Sequence, residues 1–321
     1  MENSMYNQDP ILQVKNLSKH FISGRGNKKK IDKAVNQVSF DVYPGETFGL
    51  VGETGCGKTT TGRTIIRLYK PTEGEVILSG RKISGDISKQ DKKFVTTNVQ
   101  MIFQDPISSL NPRMAVKDII AEGLVINKLC KSKDEELDKV YEMLKIVGLS
   151  KDHASRYPHE FSGGQRQRIG VARALITRPS LVIADEPISA LDVSIQAQIL
   201  NLLNDLKKQL DLTILFIAHD LSIVKYISNR TGVMYGGRLV ELSDSKSIYA
   251  NPIHPYTKSL LSAIPLPDPD YERNRVRIKY DSSMHDYTQE QPKFVEVRPN
   301  HFVLGSSSEI ERYHNELYIN I

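Results

Sequence analysis

Apolar and polar positions along this chain change their period at definite places, and those places divide it into elements. Val38, Phe40 and Val42 alternate with Ser39 and Asp41, so a strand here turns one face inward. Residues 11–17 and 75–78 alternate more loosely. With turn signals at Pro44-Gly45 and Gly74, the three segments predict a small antiparallel sheet. Thr47-Phe48-Gly49-Leu50-Val51 is instead continuously apolar and runs into a glycine-rich loop, after which Lys58 onward reads as a helix. Residues 181–184 and 213–217 are also short, continuously apolar and rich in β-branched side chains, as strands buried on both faces of a parallel sheet are. The helical segment 194–210 between them completes a βαβ unit.

From about 111 to 151 the period is helical. Leu137, Val140, Tyr141, Leu144 and Val147 fall on one face with charged residues between them, an amphipathic pattern that packs on its own domain. Another helix starts at Ser162, continues through Ile169, Ala172, Ala174 and Leu175, and stops near Pro179. Residues 232–240 read as a hairpin turning at Gly236-Gly237. Near 252 the pattern breaks. Pro252, Pro255, Pro265, Pro267 and Pro269 punctuate a polar, tyrosine-rich segment, which reads as a partly ordered C-terminal extension. There is no internal repeat and no low-complexity tract.

The loop Gly52-Glu53-Thr54-Gly55-Cys56-Gly57-Lys58-Thr59 matches G-x-x-x-x-G-K-[ST] in full, between a strand and a helix as that motif requires. Its backbone N–H groups suit a phosphate chain, Lys58 reaches the β- and γ-phosphates, and Thr59, followed by Thr60, suits Mg²⁺. Asp185-Glu186 follows the apolar strand 181–184 and precedes the constrained turn Pro187 to Asp192. Asp185 is placed for the metal shell and Glu186 for orienting and deprotonating an attacking water. His219 closes the strand 213–217, so a parallel sheet brings it to the same edge, as a donor to the γ-phosphate. Gln104, ahead of the helical region, is placed to contact Mg²⁺ or that water. A second phosphate turn stands apart from the first: Ser162-Gly163-Gly164-Gln165 combines an N-cap serine with two glycines at a helix start. The expected fold is therefore α/β, a P-loop NTPase core with a mostly parallel sheet, a small antiparallel β subdomain, a helical insertion at about 105–160 and a C-terminal extension. The expected division is 1–250 and 251–321.

Composition narrows this only a little. The chain's 321 residues suffice for one full core with appendages, and 39% hydrophobic with 25% charged residues is ordinary for a globular protein. Net charge is +5, with a basic run at Arg25 and Lys28 to Lys30. That run is too short and isolated for a nucleic-acid patch and reads as a solvated loop. Of the two cysteines, Cys56 and Cys130, one lies in the phosphate loop, so a disulfide is not expected and a reducing compartment is. No apolar segment follows Met1-Glu2-Asn3-Ser4 and none is long enough to span a bilayer, so a cytosolic location is expected.

Taken in order, these motifs resemble the ATP-binding subunits of ABC transporters: phosphate loop at 52–59, Q-loop at Gln104, signature at 161–165, Walker B strand at 181–186, D-loop at 189–192 ending in Asp192, and switch histidine at 219. The resemblance covers residues 1 to about 245. It implies a head-to-tail dimer in which each ATP, with Mg²⁺, is clamped between the phosphate loop of one subunit and the signature of the other. Apart from the resemblance, Phe21, after His20 near the first strand, suits stacking on adenine, with ordinary packing as the alternative. Phe161 stands where leucine is commonest and Thr54 where serine is common, and both keep the chemistry.

A narrower resemblance lies in Asn251 to Thr257 with Leu260 to Pro265, which is similar to the C-terminal element of oligopeptide and dipeptide importer ATPases. Phe294 to Val303 resembles the tail of the second ATPase of Gram-positive oligopeptide importers. This implies a second homologous ATPase subunit as heterodimer partner, two transmembrane permeases and an extracellular peptide-binding protein, at the cytoplasmic face of the cell membrane. No cysteine follows Cys130, so the iron–sulfur cluster of some relatives is not expected. Importers of dipeptides, nickel or other solutes remain an alternative. A soluble ABC ATPase of DNA repair or translation would carry a longer insertion or two nucleotide domains, and a non-hydrolysing ATP sensor would not need Glu186 and His219.

Overall fold

The computed structural model describes residues 8–24, 29–264 and 277–319. Its strands in chain order are β1 Leu12–Ser23, β2 Lys30–Val42, β3 Thr47–Val51, β4 Glu73–Leu78, β5 Arg81–Lys82, β6 Val99–Ile102, β7 Leu181–Asp185, β8 Thr213–Ala218, β9 Arg230–Tyr235, β10 Arg238–Asp244, β11 Lys293–Arg298 and β12 His301–Gly305. The first sheet, in the order β2-β1-β4-β5, is antiparallel. The second runs β11-β12-β10-β9-β3-β8-β7-β6. Within it β3, β6, β7, β8 and β9 form a parallel block: β3, β7 and β8 are the expected continuous apolar runs, and β6 and β9 flank them.

β3, β7 and β8 bury nearly every residue, because helices and the first sheet cover both of their faces. Phe40 of β2 stacks on Phe48 of β3 at 4.9 Å, within the apolar cluster that joins the two sheets. The helices Val116–Asn127 and Lys133–Ile146 occupy the region whose period was helical, with Val140, Leu144 and Val147 buried. β9 and β10 turn at Gly236-Gly237, both at positive φ, as the hairpin pattern required.

β1 and β2 are longer than their alternation suggests. Register shifts interrupt their pairing, and Asn16 and Gln37 take positive φ, so side chains change face partway along each strand. Their far ends are exposed on both faces, and the apolar Phe21, Ile22 and Ile31 there follow no inside–outside alternation. Of the basic run, Arg25 and Lys28 lie outside the described residues.

The extension contributes strands to the second sheet. β12 pairs with β10 through Glu241↔Val303 and Leu242↔Phe302, and β11 adds beyond it. At the junction Glu241 is fully buried, and its carboxylate accepts the backbone N–H groups of Ile253 at 2.8 Å and His254 at 3.0 Å. His301 Nε2 lies 2.7 Å away. Each hydrogen bond to such a charged group contributes about 1.5–3 kcal/mol, so this one side chain holds together the strand, the start of the extension and its tail. Pro265, Pro267 and Pro269 lie outside the described residues. Pro255 opens the helix Pro255–Ser262, where its missing N–H costs nothing.

His254 caps that helix: its Nδ1 accepts the N–H of Tyr256 at 3.1 Å. Burial, with His285 and Lys258 nearby, pushes the His254 pKa from 6.5 down to about 3, so the imidazole stays neutral and able to accept. Between those two values the unfolded chain binds a proton that the folded chain refuses, so stability falls as pH falls from 6.5 toward about 3. His254→Asn, a cap that does not titrate, is expected to shallow that acid slope in urea-unfolding midpoints while leaving the cap's contribution of about 1 kcal/mol. A slope identical to wild type would contradict the role given to His254.

Candidate active site

Parallel register decides which side chains meet. Val51 pairs with Ala218 and Asp185 with Ile217, so β3, β7 and β8 end at one edge. From that edge emerge the phosphate loop, the Asp185-Glu186 pair and His219. Gly57 has φ 107°, and a Cβ there would stand 2.1 Å from the carbonyl oxygen of Ala34, so only glycine fits. The following helix, Lys58–Ile65, has neither a side-chain cap nor an acidic residue in its first turn. Its leading N–H groups and the positive end of its dipole therefore face the cleft, a ready anion site.

Lys58 is only 4% exposed. Its Nζ donates to the carbonyl oxygens of Gly52 at 2.7 Å and Glu53 at 2.9 Å, and lies 3.7 Å from Cys56 Sγ. Burial pushes the Cys56 thiol up, with Lys58 opposing, so it stays protonated. Thr59 Oγ1 donates to Asp185 Oδ1 at 2.8 Å. Asp185 is fully buried, which raises its pKa against the pull of Thr59 and Arg63, and its Oδ2 has no hydrogen-bond partner. An orphaned buried carboxylate oxygen beside a threonine hydroxyl is a hard oxygen set, and it fits a magnesium ion sharing its shell with phosphate and water.

Glu186 takes φ 45° and donates its N–H to Ile217 O at 2.9 Å, a turn that swings its side chain into the cleft. Gln104 Nε2 donates to Glu186 Oε2 at 3.1 Å, and His219 Nδ1 lies 3.2 Å from the same oxygen. The sequence places His219 as a donor to the γ-phosphate and Gln104 beside the metal or water. Here both side chains converge on one carboxylate oxygen.

The cleft has a volume of about 580 Å³. Its lining includes Thr54, Gly55, Gly57, Lys58, Thr59 and Thr60 from the loop and helix start, and Gln104, Glu186, Ser189, Ala190 and His219 from beyond it in the chain. Phe21, Asp32 and Ala34 complete its lining. Phe21 is 37% exposed and stands edge-on to Tyr69, their ring centroids 5.4 Å apart. Tyr69 carried no sequence signal of its own.

Ser162, Gly163, Gly164, Gln165 and Asp192 are absent from the cleft's lining. Ser162 Oγ accepts the Gln165 N–H at 3.3 Å while Gln165 Oε1 accepts the Ser162 N–H at 3.0 Å, a reciprocal cap on the helix Gly163–Leu175. A Cβ on Gly164 would stand 2.6 Å from Ile195 Cγ2, and one on Gly163 3.4 Å from Leu191, so the turn packs on the segment that follows Glu186. Ser162, Gly163 and Asp192 are exposed. Gly52, Glu53, Cys56 and Asp185 do not line the cleft either, but they are hydrogen-bonded to Lys58 and Thr59, which do; among the described residues the signature turn and Asp192 make no such bond to the cleft.

One contact escaped sequence reasoning. The Glu53 N–H donates to the hydroxyl of Tyr256 at 3.0 Å, from a helix of the extension 203 positions away. The motif around Tyr256 was visible, but nothing in it pointed toward the loop.

Comparison with known proteins agrees with this geometry. Residues 35–189 match the family model for the ABC transporter domain, and residues 240–290 the model for the oligopeptide/dipeptide transporter C-terminal region. The chain is 60% identical over 306 residues to the oligopeptide transport ATP-binding protein OppF of Bacillus subtilis, covering 95% of this chain and 99% of that one. It is 54% identical to the dipeptide transport ATP-binding protein DppF of Lactococcus lactis, covering 94% and 96% of the two chains. It is 50% identical to the oligopeptide transport ATP-binding protein AmiF of Streptococcus pneumoniae, covering 96% and 99%. Among solved structures, a dimeric post-hydrolysis state of the ATP-binding cassette MJ0796 bound to ADP and Pi superposes with a TM-score of 0.65 at 28% identity, over 73% of this chain and 98% of that one. A chain with this loop, this acidic strand end and these relatives belongs to the ABC transporter ATP-binding proteins, in their oligopeptide and dipeptide transporter branch.

Proposed function

We propose that this chain hydrolyses ATP to power the import of oligopeptides through a membrane transporter. The observation that carries the reading is the convergence of Gln104 and His219 on Glu186 across a cleft from Lys58, while the signature turn lies outside that cleft. Phosphates lie along the N–H groups of the loop and helix start, with Lys58 turned from its carbonyl partners toward the β- and γ-oxygens. Phe21 offers its ring to the adenine. Mg²⁺, held through Thr59 and Asp185, would neutralise charge between the β- and γ-phosphates. Glu186 accepts a proton from the water whose oxygen bonds to the γ-phosphorus as the bond to the bridging oxygen breaks and ADP leaves. Gln104 and His219 fix the carboxylate's direction, and as a pair they can pass to it a report of what lies on the γ-phosphate.

In this reading residues 1–250 are the nucleotide-binding unit and 251–321 an extension. Ser162, Gly163, Gly164 and Gln165, with Asp192 beside them, serve the ATP held on the loop of a second, homologous ATPase, and that partner's signature completes the site on Lys58. The N–H groups of Gly163 and Gly164, which the reciprocal cap leaves over, suit a phosphate brought by another subunit. Two permeases would carry the pair at the cytoplasmic face of the membrane, and an extracellular binding protein would deliver the peptide. No described helix is long and apolar enough to cross a membrane itself. The similarity to a dipeptide transport protein supports dipeptides as a second substrate reading, which uptake of labelled dipeptides against longer peptides would separate.

Glu186→Gln keeps the shape of the side chain and removes the base. In the assembled transporter it is expected to retain ATP binding while lowering hydrolysis and peptide uptake at least about a hundred-fold. Full turnover by that variant would overturn the role of Glu186. Gly164→Ala drives a methyl into Ile195 and displaces the signature turn. Nucleotide titration should find ATP binding to this chain unchanged, whereas hydrolysis by the complex with its partner ATPase should drop. The isolated wild-type chain should turn over ATP slowly and accelerate when the partner is added. Equal rates with and without the partner would contradict the shared site.

A further inference from the structure

The phosphate loop is gripped from outside by the extension. Glu53 is the second residue of the loop, and its peptide groups are held on two sides: its carbonyl accepts from Lys58 Nζ at 2.9 Å, and its N–H donates to the Tyr256 hydroxyl at 3.0 Å. Farther along, the Cys56 carbonyl accepts the N–H of Gly237 at 3.0 Å, from the turn between β9 and β10. The loop is therefore pinned at two places, once by the cassette and once by the extension.

Tyr256 is well fitted to act as a fixed point. It is 3% exposed, and its ring packs between Tyr235, at the end of β9, and Tyr280 of the extension, at centroid distances of 4.5 Å and 5.2 Å. Its own N–H is held by His254, and the N–H groups of His254 and Ile253 by the buried Glu241. Burial raises the phenol's pKa far above its ordinary value, so the hydroxyl stays neutral and offers an oxygen lone pair to the Glu53 N–H. A continuous set of hydrogen bonds thus runs from the strand β10 through the extension to the loop on which Lys58 leans.

We infer that Tyr256 is a positioning residue for the phosphate loop, so that the C-terminal extension sets how tightly this chain holds ATP. The inference rests on the loop's binding ATP as proposed above. A loop that samples several backbone arrangements binds phosphate only from the competent fraction, and its apparent Kd rises as that fraction falls. The hydroxyl raises the fraction by giving the Glu53 N–H one partner in one direction. Removing it should weaken binding roughly three- to ten-fold, the range set by one neutral hydrogen bond, and should act on KM rather than kcat because Glu186 is untouched.

The test pairs two substitutions in the full chain and in the assembled transporter. Tyr256→Phe keeps the ring and removes the hydroxyl. Tyr235→Phe removes a hydroxyl from the same aromatic cluster, one that makes no hydrogen bond among the described residues. Titration with a fluorescent ATP analogue and Mg²⁺ should show the weaker Kd for Tyr256→Phe alone, with a matching rise in KM and unchanged kcat. Amide exchange at Glu53 in the wild-type chain should be slow, and in Tyr256→Phe fast. Wild-type affinity in Tyr256→Phe would overturn the proposal alone, as would equal weakening by Tyr235→Phe or rapid exchange at Glu53 in the wild-type chain. A wild-type chain that bound no ATP would overturn the nucleotide reading, and this proposal with it.

Discussion

A buried ammonium without a carboxylate organises this molecule. Lys58 makes no ion pair among the described residues, and its Nζ spends its hydrogens on two loop carbonyls. Taking such a charge out of water costs several kcal/mol unless its surroundings answer it. Carbonyl dipoles answer it in part. Phosphate oxygens answer it fully, since they bring opposite charge to a place where the N–H groups at the start of the helix Lys58–Ile65 also converge. The glycines follow from the same demand, because the backbone must fold closely around the lysine and still leave its N–H groups facing outward. The parallel sheet follows in turn. Only strands running the same way deliver the loop, Asp185 and Glu186 to one edge.

Glu241 plays the corresponding part at the other end of the fold. Its buried carboxylate meets two backbone N–H groups and His301, so it is stable only while the extension is docked. Docking carries Tyr256 to the phosphate loop. The extension is thereby mechanically part of the nucleotide site even though its own residues stay outside the cleft. Chains with and without such an extension would be expected to differ in loop rigidity while sharing every phosphate-binding residue.

What the sequence disclosed and what it hid have separate physical causes. The loop was legible because phosphate binding demands glycines and a lysine at fixed spacing. β7 and β8 were legible because double-sided burial leaves an unbroken apolar run. The length of β1 and β2 was hidden by positive φ at Asn16 and Gln37, which breaks the alternation on which such readings depend. β11 and β12 were hidden for another reason: their partner is an edge of β10 some sixty residues earlier, and edge pairing uses backbone groups common to every residue. The convergence of Gln104 and His219 on Glu186 was hidden in the same way. Each residue type suggested a role toward the nucleotide, but only the folded sheet shows them sharing one oxygen. The serine cap and helix start of the signature turn were legible in Ser162-Gly163-Gly164-Gln165, and both form. The turn's position apart from the cleft is a property of the tertiary fold, which local pattern does not contain.

In the shared sites proposed above, the two phosphate turns of this chain serve two different ATP molecules. A structure of the assembled transporter carrying Glu186→Gln and MgATP measures this directly, through the distance from Ser162 Oγ to each γ-phosphate. The account predicts hydrogen-bonding contact with the ATP on the partner's loop and none with the ATP on Lys58. Contact between Ser162 and the nucleotide bound to its own chain's Lys58 would contradict it.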